Sequence, residues 1–181
     1  MAVGFLLATI LGAIGGYGAV WLFPPPNQGQ SGAVLQTKYI SARSLEVLYD
    51  FETTQSLIED MEIMLTTSGN SYLELRFSSP VGLFLDPSFS SAVEFNFTMW
   101  FDGVLSSTTE VRAFRDSASG QNEEYTDHIS LEHVTDILPA GTYTINVTWY
   151  SVHDQSGTSQ VYLTLPLFNT TRTLMVQEIH S

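Results

Sequence analysis

Between residue 33 and the C-terminus, apolar and polar residues alternate in short runs broken by turn formers. Residues 92–102 show it most clearly: Val93, Phe95, Phe97, Met99 and Phe101 fall on one face of an extended chain, and Glu94, Asn96, Thr98 and Trp100 on the other. A period of two marks a half-buried strand. The same pattern, less regular, predicts strands over 34–51 (one strand or two), 58–67, 71–78, 81–86, 104–115, 128–134, 141–151, 158–168 and 171–179. Ser68, Gly69 and Asn70 read as a turn, and residues 116–126 as a polar, acidic surface loop. No stretch here sustains a 3.6-residue period. The expected fold is therefore mainly β, an antiparallel β-sandwich, with a jelly roll as the alternative.

The first two dozen residues follow a different rule. Residues 2–23 (AVGFLLATILGAIGGYGAVWLF) carry no charge. As a helix they would reach roughly 33 Å, enough to cross the ~30 Å core of a bilayer. Trp21 and Phe23 stand at the headgroup end, and Pro24, Pro25 and Pro26 stop the helix. One N-terminal transmembrane helix over 1–23 is expected, a removed signal peptide being the rival reading. Gly4, Ala8, Gly12 and Gly16 recur every four residues, giving that helix a smooth face for packing on another membrane helix or a copy of itself. Residues 24–33, rich in Pro and Gly, form the linker, and 34–181 the extracytoplasmic domain.

Composition narrows the partners. Six Lys and Arg against 19 Asp and Glu give a formal charge of −13, which argues against nucleic acid and anionic lipid headgroups. With no cysteine, thiolate chemistry and disulfides are excluded. An exported domain without disulfides, its surface rich in Ser and Thr, fits a prokaryotic envelope.

Few side chains suggest chemistry. Leu138, Gly141 and Tyr143 have the L-x-x-G-x-Y spacing. It resembles the tyrosine corner of immunoglobulin-like and fibronectin-like sandwiches, which implies that fold and no activity. Three N-x-T sequons, at Asn96, Asn146 and Asn169, are candidate glycosylation sites. Asn96 and Asn146 lie on the polar faces of their strands. Asp116, Glu123, Glu124, Asp127 and Asp136 would suit Ca²⁺ if they gathered at one end of the sandwich, but no D-x-D-x-D-G loop accompanies them. His128 and His133 are five apart and face opposite ways on one strand, and His153-Asp154 lacks a nucleophile motif. Phosphate-cradling and dinucleotide motifs are missing. No catalytic residue, cofactor or metal site is expected.

The sequence thus predicts a non-enzymatic, single-pass membrane protein, acting through protein contacts as an accessory subunit of a membrane complex, envelope or surface filament. In plan, an anchor followed by a β-sandwich, it resembles archaeal envelope stator proteins. The second expectation is a carbohydrate- or calcium-binding surface module, for which an outward-facing Trp100 would stack on a sugar or meet a partner.

Overall fold

A computed structural model describes residues 17–21, 31–86, 92–114, 123–152, 159–163 and 170–181. The strands are β1 (Tyr17–Trp21), β2 (Val34–Ala42), β3 (Glu46–Tyr49), β4 (Ser56–Thr67), β5 (Ser71–Leu85), β6 (Ala92–Phe101), β7 (Val104–Phe114), β8 (Glu123–Val134), β9 (Gly141–Ser151), β10 (Gln160–Leu163) and β11 (Arg172–His180). All pair antiparallel, in two sheets. One sheet runs β1-β2-β11-β5-β10-β3, with β8 on the opposite edge of β5, and the other runs β4-β9-β6-β7. The mainly β sandwich expected from the alternation is what the chain forms.

β5 is the spine of the larger sheet. β8 pairs with it from Glu74 to Leu85, while its other edge is shared by β11 up to Ser78 and β10 from Val81. Pro80, which has no amide to donate, sits where β11 hands over to β10. Leu73, Leu75, Phe77, Val81, Leu83 and Leu85 line its inner face, all fully or nearly fully buried. They pack against Val93, Phe95, Phe97 and Met99 of β6 and Ile145, Val147 and Trp149 of β9.

The tyrosine corner forms: the Tyr143 hydroxyl donates to the Pro139 carbonyl at 3.0 Å, and its ring stacks on Phe101. The strand order it implied does not follow. Counting only the eight long strands in sequence, the sheets run first–eighth–third–sixth and second–seventh–fourth–fifth. An immunoglobulin domain places its first two strands side by side in one sheet. The corner is a local device, a turn glycine and a phenol reaching a carbonyl four residues back, so it does not report long-range order.

Two turns are fixed by left-handed backbone. Gly69 and Asn70 have φ of 89° and 57° in the predicted turn, and Asp102 and Gly103, at 49° and 78°, close the β6–β7 hairpin. Gly82 is glycine for another reason. The Tyr162 ring lies over it, and a Cβ there would sit 2.1 Å from the ring. Tyr162 pairs directly with Gly82, and its hydroxyl is held by Glu124. Gly82→Ala is expected to displace the ring and cost about 1–3 kcal/mol in urea unfolding, as overpacking does.

Residues 17–21 are the described part of the segment in which the N-terminal helix is expected. They form β1 and pair with residues 37–41 of β2. Tyr, Val and Trp favour extended backbone, and β2 offers an open edge. Residues 1–16, with Gly4, Ala8, Gly12 and Gly16, and most of the linker lie outside the described residues. No helix among the described residues is long and apolar enough to cross a membrane.

Candidate ligand-binding face

The outer face of β4-β9-β6-β7 is where aromatic and polar side chains converge. Strand register sets it. β6 and β9 place Asn96 opposite Tyr150, Thr98 opposite Thr148, and Trp100 opposite Asn146. β7 adds Leu105 beside Trp100, Thr108 beside Thr98 and Glu110 beside Asn96. β4 adds Leu57 beside Thr148 and Glu62 beside Asn146. Their in-pointing neighbours Phe95, Phe97, Met99, Val147 and Trp149 are core residues, which holds the outer residues in place from behind.

Thr53, Gln55, Thr98, Trp100, Leu105 and Tyr150 line a shallow depression of about 330 Å³ on this face. Thr98 is only 3 % exposed although its strand position points outward, so its larger neighbours cover it. The Trp100 Nε1–H donates to Thr148 Oγ1 at 2.8 Å, and Gln55 Nε2 donates to the same oxygen at 2.6 Å. Asn96 Nδ2 donates to the Tyr150 hydroxyl at 3.0 Å. These bonds lock both aromatic side chains. Trp100 has no second polar atom, so its ring face is what it offers; Tyr150, having accepted from Asn96, keeps a proton to donate. Arg112 is held by Glu94 at 3.1 Å and Glu110 at 2.8 Å, on the rim.

The predicted sites distribute as follows. Asn96 and Asn146 lie on this outer face, and Asn169 lies outside the described residues. Among the described residues the acidic side chains do not gather. Asp116 lies outside the described residues; Glu124 is bound by Tyr162, and Asp127 accepts from the His128 amide. From Glu124 to Val134 alone, β8 runs roughly 33 Å, so Asp136 lies at the far end. Among the described residues no three His, Asp or Glu side chains form a metal-sized cluster. A pair missed in the sequence does meet: Asp50 and Asp86 flank Ser159, the Asp50 amide donating to its carbonyl and the Asp86 amide to its hydroxyl. Burial, then the charge of Asp86, raises the Asp50 carboxyl above its ordinary value.

His128 and His133 do face opposite ways on β8. His128 Nε2 meets Ser78 Oγ at 3.0 Å on an exposed strand face, and His153 lies outside the described residues. Sequence reasoning singled out Trp100 but missed Tyr150, Gln55 and Thr53. A legible signal existed: N-x-T followed by x-aromatic occurs at both Asn96 and Asn146.

No protein-family model and no curated protein matches the chain. Among solved structures it is similar to the C-terminal domain of EclA, a sugar-binding protein, at 10 % identity over 73 % of this chain and 78 % of that one, with a TM-score of 0.32. A protein of infectious bursal disease virus, Gx strain, gives 11 %, 90 % and 38 %, with a TM-score of 0.40. The arabinose-bound α-L-arabinofuranosidase MgGH51 gives 13 %, 92 % and 22 %, at 0.29. At these identities and scores the likenesses do not bear on what this chain binds.

Proposed function

We propose that this chain is a binding module with carbohydrate as its ligand, taken on the outer face of β4-β9-β6-β7. The observation that carries the reading is one depression lined by the aromatic Trp100 and Tyr150 together with Thr53, Gln55, Thr98 and Leu105. Sugars present apolar C–H faces and a ring of hydroxyls, so they suit a flat aromatic beside fixed donors and acceptors. The finer fold that goes with this reading is a jelly roll, the eight-stranded double-sheet architecture whose order the long strands follow. Trp100→Ala is expected to weaken oligosaccharide binding by at least about 2 kcal/mol, roughly thirty-fold, in isothermal titration, as for a central aromatic anchor. Unchanged affinity would remove Trp100 from the site.

A second reading, contact with a protein partner in an envelope or membrane assembly, is favoured by large apolar side chains on the same face. Leu57 is 47 % exposed, Met64 60 % and Leu105 55 %. Membrane attachment belongs to this reading and rests on the uncharged residues 2–23 with their Gly4, Ala8, Gly12 and Gly16 stripe. If the anchor is retained, the protein stays with membranes through an alkaline carbonate wash. Release of the full-length chain would show that residues 17–21 serve the sheet instead.

A further inference from the structure

β6 and β9 carry the same outward triplet. Asn96, Thr98 and Trp100 on one strand repeat as Asn146, Thr148 and Tyr150 on the other. Because the strands are antiparallel and Thr98 pairs with Thr148, a half-turn about an axis between these two threonines superimposes asparagine on asparagine, threonine on threonine and aromatic on aromatic. The carboxylates follow approximately: Glu62 lies beside Asn146 at one end and Glu110 beside Asn96 at the other. Trp100 and Tyr150 are separated by four residue steps along the strands and one strand across, roughly 14 Å between Cα positions. The depression they share therefore spans more than one sugar ring.

We infer, on the reading that this face binds carbohydrate, that its ligand is an internal segment of an uncharged, extended polysaccharide, accepted in both chain directions. A ligand turned end for end meets the same asparagine, threonine and aromatic triplets in the same order, with Leu105 beside Trp100 and Gln55 near Tyr150 as the flanking difference. A site built this way gains nothing from a reducing or non-reducing end, and everything from a repeating unit. Charge narrows the class further. Within β4, β6, β7 and β9 the one basic residue is Arg112, and it is already paired with Glu94 and Glu110. Glu62, Glu94 and Glu110 around the triplets oppose a polyuronate or sulfated chain.

The test uses the full ¹⁵N-labelled chain in detergent and hexamers of glucose, mannose, galactose and N-acetylglucosamine, with uronate hexamers beside them. The best-binding neutral hexamer then carries a nitroxide on its reducing end. Two-way binding broadens both ends of the site to comparable extents: the Trp100 indole and Asn146 amide at one, the Tyr150 and Asn96 amides at the other. Broadening at one end alone overturns the two-way inference and leaves the carbohydrate site standing. Preference for a uronate hexamer overturns the uncharged class and also leaves the site standing. If no hexamer shifts any of these resonances, the carbohydrate reading itself falls.

Discussion

Arg172→Ala is expected to destabilise the domain by about 3–5 kcal/mol, the cost of breaking a buried ion pair from one side. Against a total of about 5–15 kcal/mol for a domain this size, that approaches unfolding. Arg172 is 0 % exposed and opens β11 on the core-facing register of Leu174 and Val176. Its Nη1 donates to the Ser44 carbonyl at 2.7 Å, while Nη2 reaches Ser44 Oγ at 2.9 Å, the Glu59 carbonyl at 3.0 Å and Glu46 Oε2 at 3.3 Å. The Glu46 carboxylate in turn accepts from the Glu59 amide at 3.0 Å. Residues 58–61 interrupt the β4–β9 register, with Asp60 at a φ of 61°. One guanidinium thus holds β11, the chain before β3 and the β4 bulge together, bridging the two sheets.

The deficit has a pH signature. Burial raises the Glu46 carboxyl despite the Glu59 amide and the charge of Arg172. Its neutral form therefore favours folding: that contribution is full below the ordinary carboxyl value and is lost as pH rises through the folded-state value. Removing Arg172 takes away an attraction that acts only on the ionised form, so Glu46 rises further. The loss measured by urea unfolding should be larger at pH 7 than at pH 4. Equal losses at both would show that Arg172 works through its hydrogen bonds to Ser44 and Glu59 alone.

What the sequence revealed follows burial on one face. β6 and β9 were legible because one side of each meets the core and the other meets solvent, so a period of two survives in the residues. β5 was harder. Pro80 reads as a break between 71–78 and 81–86, whereas the strand continues and the missing amide falls between two partner strands. The acidic start of β8 reads as loop because Glu124, Tyr125 and Thr126 are all exposed, so neither face carries a buried alternation there. The candidate face was half legible. Trp100 could be placed outward from its own strand, but Tyr150 is fifty positions away, and only the register brings it beside Asn96. Thr98, read as exposed, is covered by neighbours the alternation could not supply.

Phe97→Ala should separate stability from binding most sharply. Phe97 is fully buried and pairs with Trp149, its ring centroid 6.0 Å away. Both rings lie directly behind Thr98 and Thr148. Truncation leaves a ring-sized void between the sheets and is expected to cost about 3–5 kcal/mol. Affinity of the molecules that stay folded should change little, because Trp100, Gln55 and Thr148 remain bonded to one another on the outside. Trp100→Ala should do the reverse, losing about 1 kcal/mol of stability with its single hydrogen bond and most of the binding. Each variant is titrated with the same neutral hexamer well below its own melting temperature. A Phe97→Ala protein that is folded yet binds as poorly as Trp100→Ala would mean that affinity depends on the packing behind the sheet, and that the two aromatics are not themselves the contact.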